Sequence, residues 1–180
     1  MKRSLQSHSS STSGTSSASA SARKPNNSIS DDATSVAIIV PYRDIHPKQN
    51  RSKHLQKFVP HMLNFLSKQL QKGTIVDYHI YIIEQSNDSR KFNRGKLLNI
   101  GFDLACKNRC RSKKTYSDIV DHDVFIFHDV DLLPNNDDVL GPYYTQFPKV
   151  PVHIARVWDR YSNNPKYFGG IISFSGIVVI

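Results

Sequence analysis

The sequence predicts an α/β domain with a mainly parallel, helix-flanked sheet, and three observations predict it. Apolar runs of strand length alternate with segments of helical period along most of the chain, the pattern of parallel-sheet proteins. The first run, Val36-Ala37-Ile38-Ile39-Val40, is continuous and rich in β-branched residues, as suits a strand covered on both faces. Polar residues directly follow three of these runs, at the strand ends where open α/β sheets bind ligands.

Of the first thirty residues, twelve are serine and almost none is large and apolar. Such a stretch cannot bury enough surface to offset the entropy of ordering it, so residues 1–34 are expected to be a flexible leader and 35–180 a single domain. Met1-Lys2-Arg3 is a basic start, but no apolar segment follows it as a signal peptide requires. No run approaches the ~20 apolar residues of a membrane span.

The strand at 36–40 ends at Pro41-Tyr42. Leu55, Phe58, Val59, Met62, Leu63, Leu66 and Leu70 then recur at helical spacing, with Pro60 either starting the regular helix or kinking an earlier turn. Residues 78–83 read as the second strand. Asn93 is placed to cap a helix carrying Leu97, Leu98, Ile100, Phe102 and Leu104. The third strand, 124–127, runs into His128-Asp129-Val130-Asp131. A loop rich in Asn, Asp and Pro follows, then a strand at 152–155 and another within 166–180 that Gly169-Gly170 interrupts near its start.

The formal net charge of +9 and the cluster Lys107, Arg109, Arg111, Lys113 and Lys114 raise a nucleic-acid reading. No aromatic residue is interleaved with the cluster to stack bases. It reads as a solvated loop, no nucleic-acid partner is expected, and a basic surface equally suits an anionic nucleotide-sugar. Cys106 and Cys110, four apart, show neither a metal spacing nor a ready disulfide geometry.

Among the polar strand ends are Pro41-Tyr42-Arg43, Glu84-Gln85-Ser86 and Asp129-Val130-Asp131. Strand alternation would send Asp129 and Asp131 to one side with Val130 opposite. Two carboxylates so placed repel unless a cation or hydrogen-bond donors share them, and a hard divalent ion with phosphate oxygens resolves the conflict. The alternative is that the aspartates cap the loop into Leu132-Leu133-Pro134. Asp121-His122-Asp123 also has ligand chemistry but precedes its strand, and reads as a solvated turn.

Four blocks carry a family resemblance: VAIIVPYR (36–43), FNRGKLLNIG (92–101), FHDVDLLP (127–134) and YFGGI (167–171). In this order and at these separations they resemble the β-1,4-galactosyltransferase family. His128 to Pro134 and Phe58-Val59-Pro60-His61-Met62 are most similar to its xylosylprotein branch. The resemblance implies a GT-A fold, a Rossmann-like nucleotide-sugar-binding sheet of which this chain is the N-terminal, donor-binding portion. It also implies a Golgi location and inverting, Mn²⁺-dependent transfer of galactose from UDP-galactose to a glycan acceptor of xylose or N-acetylglucosamine type.

Carried over by position, Pro41, Tyr42 and Arg43 would line the nucleotide site. Arg51 would supply its second arginine if Ile45 to Asn50 are an insertion. Phe92 would stack on uracil with Arg94 beside it. Asp129 would hold the ribose with Val130 next to it, and Asp131 the manganese, while Tyr167 and Gly170 would border the sugar. Arg160 is the nearest candidate for a basic residue at the diphosphate. The family's Trp-Gly-x-Gly-Glu-Asp-Asp segment, with the acceptor-activating carboxylate, and its later metal-binding His find no match here, so the catalytic base is expected beyond Ile180. Two readings stay open: part of a transferase, or a nucleotide-sugar-binding relative without catalysis.

Overall fold

The computed structural model describes residues 31–45, 48–111, 122–155 and 169–176. Within them the chain runs β1 (Thr34–Tyr42), α1 (Arg51–Gln71), β2 (Ile75–Glu84), α2 (Arg94–Arg111), β3 (Val124–His128), α3 (Asp137–Thr145), β4 (Val152–His153) and β5 (Ile171–Ser175). The sheet order is β2-β1-β3-β5-β4. Strands β2, β1 and β3 are parallel, whereas β5 runs antiparallel to both its neighbours, β3 and β4. A mixed, open sheet flanked by helices results.

Strand β1 is the spine because both its faces are apolar. Val36, Ile38 and Val40 face a core shared with Phe58, Met62, Phe65 and Leu66 of α1. Ala37 and Ile39 face the other core, with Leu98 and Ala105 of α2 and Phe125 of β3. All five β1 side chains are fully buried, and full burial of a Val or Ile contributes roughly 1.5–3 kcal/mol. Helix α2 lies close to the sheet through Gly101, where an added Cβ would come within 2.4 Å of Ile39 Cγ2 and 2.9 Å of Ile83 Cγ1.

Pro60 does not start the regular helix: α1 begins nine residues earlier and Pro60 lies inside it. The first turn was illegible because it is polar and its cap comes from afar. Asn50, at φ 49°, makes no side-chain cap. The Asp44 carboxylate accepts from Arg51 N and Ser52 N instead, at 3.1 Å each. The Asn- and Asp-rich stretch expected as loop contains α3. Asn136 caps it, its side chain accepting from Asp138 N and Val139 N at 3.1 and 3.0 Å, and acidic Asp137 and Asp138 suit the positive end of the helix. The strand expected at 152–155 is regular only over Val152–His153, beyond which Ile154 N donates to Ile171 O at 2.9 Å.

His122, read as part of a solvated turn, is 8% exposed. Its Nδ1 lies 3.0 Å from Ser35 Oγ and its Nε2 3.0 Å from Tyr81 OH, while Asp123 Oδ2 accepts from Ser35 N at 2.8 Å. These bonds satisfy polar groups at the amino end of β1. Asp121 lies outside the described residues, as do most of the expected leader and the side chains of the basic cluster at 107–114. Thr34, the last residue of that expected leader, is buried and starts β1. No helix among the described residues is long and apolar enough to cross a membrane.

Candidate functional site

The carboxyl ends of β1 and β3, the loop after β2 and the first residues of α1 and α2 enclose a crevice of about 560 Å³. Its lining includes Pro41 and Tyr42 from β1 and Arg43 just after it, Arg51 from α1, Phe92 just before α2 and Arg94 at its start, and Asp129 and Val130 after β3. All eight were expected there from the sequence. Asp131 joins them through Arg51, whose Nη1 lies 3.1 Å from Asp131 Oδ2.

The two aspartates do not share one face by strand alternation. Strand β3 ends at His128, and 129–132 is a turn closed by Leu132 N donating to Asp129 O at 3.2 Å. Val130 turns into the core at 3% exposure. Each carboxylate meets its own arginine: Arg94 Nε donates to Asp129 Oδ1 at 2.9 Å, and Arg51 holds Asp131. The cap of the following helix is Asn136.

The turn is fixed from below. His128 is fully buried at the end of β3, edge-on to Phe58 with ring centroids 5.0 Å apart. Burial, above all, lowers its pKa to about 4, outweighing the Asp129 carbonyl and the Asp131 charge that favour protonation. The ring is therefore neutral near pH 7. Its Nδ1–H donates to the Asp129 carbonyl at 2.8 Å, which leaves Nε2 to accept from Tyr144 OH at 2.8 Å. His61 Nε2 donates to Pro134 O at 2.6 Å, tying α1 to the chain beyond the turn. Gly170, at φ 81°, is buried and accepts from Asp129 N at 3.1 Å. Its place is thus behind Asp129. Tyr167 and Arg160 lie outside the described residues.

The loop between β2 and α2 forms the opposite lip. Gln85 holds it at two points, Oε1 accepting from Asn93 N at 2.9 Å and Nε2 donating to Lys91 O at 3.1 Å. Arg43, expected to line the nucleotide site, braces this loop: Nη1 donates to Arg90 O at 2.5 Å and Nη2 lies 3.8 Å from Asp88. Phe92 stands at the lip 48% exposed, a ring face that a planar base could cover. Arg43 Nε and Arg94 Nη2 are buried donors with no hydrogen-bond partner among the described residues, in a wall where an oxygen-rich ligand could supply one. Tyr42 stays protonated, since burial and then the Asp44 and Glu84 carboxylates raise its pKa.

Ile45, Gln49, Asn87, Ser89 and Arg90 also line the crevice and were not foreseen. The only sequence signal was that the last three follow Glu84-Gln85-Ser86 at a strand end. Among the described residues no three His, Cys, Asp or Glu side chains are gathered into a metal cage. Asp131, one carboxylate at the crevice, nonetheless fits a hard divalent ion whose remaining ligands are phosphate oxygens.

A mixed open sheet flanked by helices, with a polar crevice at the carboxyl ends of its parallel strands, is that of a GT-A-like N-terminal domain. Comparison with known proteins carries this further. The chain belongs to the β-1,4-galactosyltransferase family, its residues 2–144 matching the N-terminal region of glycosyl transferase group 7. It is 40% identical over 146 residues to beta-1,4-galactosyltransferase 4 of Cricetulus griseus, a match covering 78% of this chain and 34% of that protein. Beta-1,4-galactosyltransferase 1 of Bos taurus is 35% identical over 143 residues, 78% of this chain and 29% of the relative. Beta-1,4-galactosyltransferase 7 of Drosophila melanogaster is 37% identical over 139 residues, 76% and 34% respectively. The chain thus spans about a third of the length of these relatives, and their similar identities single out no branch. No solved structure matches it.

Proposed function

We propose that this domain binds the donor of a galactosyl transfer, UDP-galactose, in the crevice between β1, β3 and the starts of α1 and α2. The observation that carries the reading is the pairing of Asp129 with Arg94 and of Asp131 with Arg51 at the mouth of the parallel strands, beside the exposed ring of Phe92. Phe92 would stack on uracil, and Asp129, oriented by Arg94, would accept from the ribose hydroxyls. Asp131 would hold a divalent ion, Mn²⁺ by family resemblance, which when bound neutralises charge gathering on the departing diphosphate. Arg43 and Gln85 would keep the lip in place, and His128 and Gly170 would keep the Asp129 turn in place.

In this reading the protein is an inverting transferase acting on a xylose- or N-acetylglucosamine-type hydroxyl in the Golgi. The general base that must take the acceptor's proton has no assigned residue in the crevice. Calorimetric titration with UDP tests the donor site. Tight binding in Mn²⁺ and marked weakening in EDTA are expected, because metal and diphosphate complete each other's charge. Equal affinity in both buffers would overturn the role of Asp131.

A further inference from the structure

We propose that the outer edge of β2 is an interface at which a second copy of this chain pairs antiparallel, centred on Tyr78. The proposal is independent of the donor-site reading above.

Strand β2 is ten residues long, and among the described residues β1 is its one neighbour in the sheet. A long apolar strand at an edge is a template for another strand, and here its flanks are apolar too. On α1, His61, Lys68 and Lys72 reach toward α3 and the chain before it. Leu63 and Leu70 lie on the opposite flank, on the side of β2, where Ser67 Oγ is 3.1 Å from Tyr78 OH. On α2, Phe102 packs on Phe125 of β3 and Phe174 of β5. At about 100° per residue, Ile100 and Leu104 fall to the other side, again toward β2. These four residues and Val76 of β2 itself are 38–47% exposed. The edge thus carries an apolar rim on each face, and its complement is a strand flanked by apolar helices. A second copy is such a partner, since a two-fold contact sets one surface against itself. Helix α1 lies over β1 and β2, so with strands about 4.8 Å apart the α1 helices of the two copies come about 10 Å apart, a packing distance.

Charge selects the register. Gln85 N donates to Tyr42 O, and the alternation of the ladder then turns the amides of Tyr78, Ile80 and Ile82 outward. Tyr78 N accordingly donates to Asp77 Oδ1 at 2.8 Å. With Tyr78 opposite Tyr78 of the second copy, Asp77 stands opposite His79 at both crossings. Moving the centre by one residue sets His79 against itself, and centring on Ile80 sets Asp77 against Ile83 and Glu84 against Val76. Asp77 and His79 are about half exposed, and within one copy their 3.6 Å separation is too long for a hydrogen bond. An imidazole donates to a carboxylate whether neutral or protonated. Pairing moves the Asp77 carboxylate from Tyr78 N to His79 of the second copy, while Tyr78 N bonds across the interface.

Sedimentation equilibrium of the chain from micromolar to near-millimolar concentration tests the interface. A reversible monomer–dimer equilibrium is expected. His79→Asp opposes like charges at two crossings and should weaken the dimer about tenfold, and adding Asp77→His should restore it. Both side chains are half exposed, so these changes leave the core intact. Amide exchange at Tyr78 and Ile80 should slow as concentration rises, while Ile82, beyond the overlap, should not. A chain that is monomeric throughout overturns the proposal, as does a dimer that His79→Asp leaves unchanged or that the double variant fails to restore. Slow exchange at Tyr78 and Ile80 in dilute monomer would mean that the chain covers its own edge, and concentration-dependent slowing at Ile82 would mean another register; either result contradicts the pairing.

Discussion

Arg94 Nε donates to Asp129 Oδ1 at 2.9 Å, joining the first residue of α2 to the first residue beyond β3. The bond orients one carboxylate while Arg51 holds the other, so the two aspartates should fail differently when neutralised. Asp129→Asn should cost about 10- to 100-fold in UDP affinity, the ~1.5–3 kcal/mol of a hydrogen bond to a charged group, yet leave a response to Mn²⁺. Asp131→Asn should abolish that response. Small, equal effects in calorimetry would return both residues to a purely structural role.

Phe92 and Gln85 should separate contact from positioning. Base–aromatic stacking contributes ~1–3 kcal/mol by alanine substitution, so Phe92→Ala should weaken uridine and UDP alike. Gln85 holds Lys91 O and Asn93 N, and Gln85→Ala should speed amide exchange across residues 85–93 as well as weaken UDP. Unchanged exchange there would show that Arg43 suffices to hold the lip.

A pH dependence follows from His128. Its pKa in the folded protein is about 4 against an ordinary 6.5, so as pH falls the unfolded chain takes up the proton first. The contribution to stability is complete above about pH 6.5 and is lost progressively down to pH 4, up to about 3 kcal/mol. Urea melts between pH 7.5 and 4.5 should show His128→Gln less stable at the upper end but with a shallower decline below 6.5. Parallel curves would mean that His128 is not buried in the neutral form.

Gly101 tests how closely α2 lies on the sheet. In an open helix Gly→Ala stabilises by about 1 kcal/mol, but a Cβ here would lie 2.4 Å from Ile39 Cγ2. Gly101→Ala should instead destabilise by ~1–3 kcal/mol through overpacking, seen as a lower urea midpoint. A raised midpoint would show that α2 stands further off.

The parts of the fold legible in the sequence were those written by side-chain period. The double-faced run at Val36–Val40 and the apolar run of β3 gave the parallel centre of the sheet, and the strand ends gave the crevice. What stayed hidden depended on partners distant in sequence. The start of α1 is capped by Asp44 rather than Asn50, and His122 looks solvated until Ser35 and Tyr81 are brought to it. Helix α3 was masked by Asn136, Asp137 and Asp138, which read equally as loop and as cap. For the site, residue types pointed to Arg43, but its brace to Arg90 O depends on a loop path that no spacing encodes.

Whether this crevice is a uridine diphosphate site with its metal on Asp131 is tested most directly by mapping ligands on the assigned amide spectrum of the chain. UDP with Mg²⁺ should shift the resonances of Tyr42, Phe92, Arg94 and Val130, and replacing Mg²⁺ with paramagnetic Mn²⁺ should broaden signals around Asp131 first. Shifts confined to the second cavity, which Gln69, Lys72, Thr74 and Gln146 line elsewhere on the protein, or Mn²⁺ broadening that spares Asp131, would contradict it.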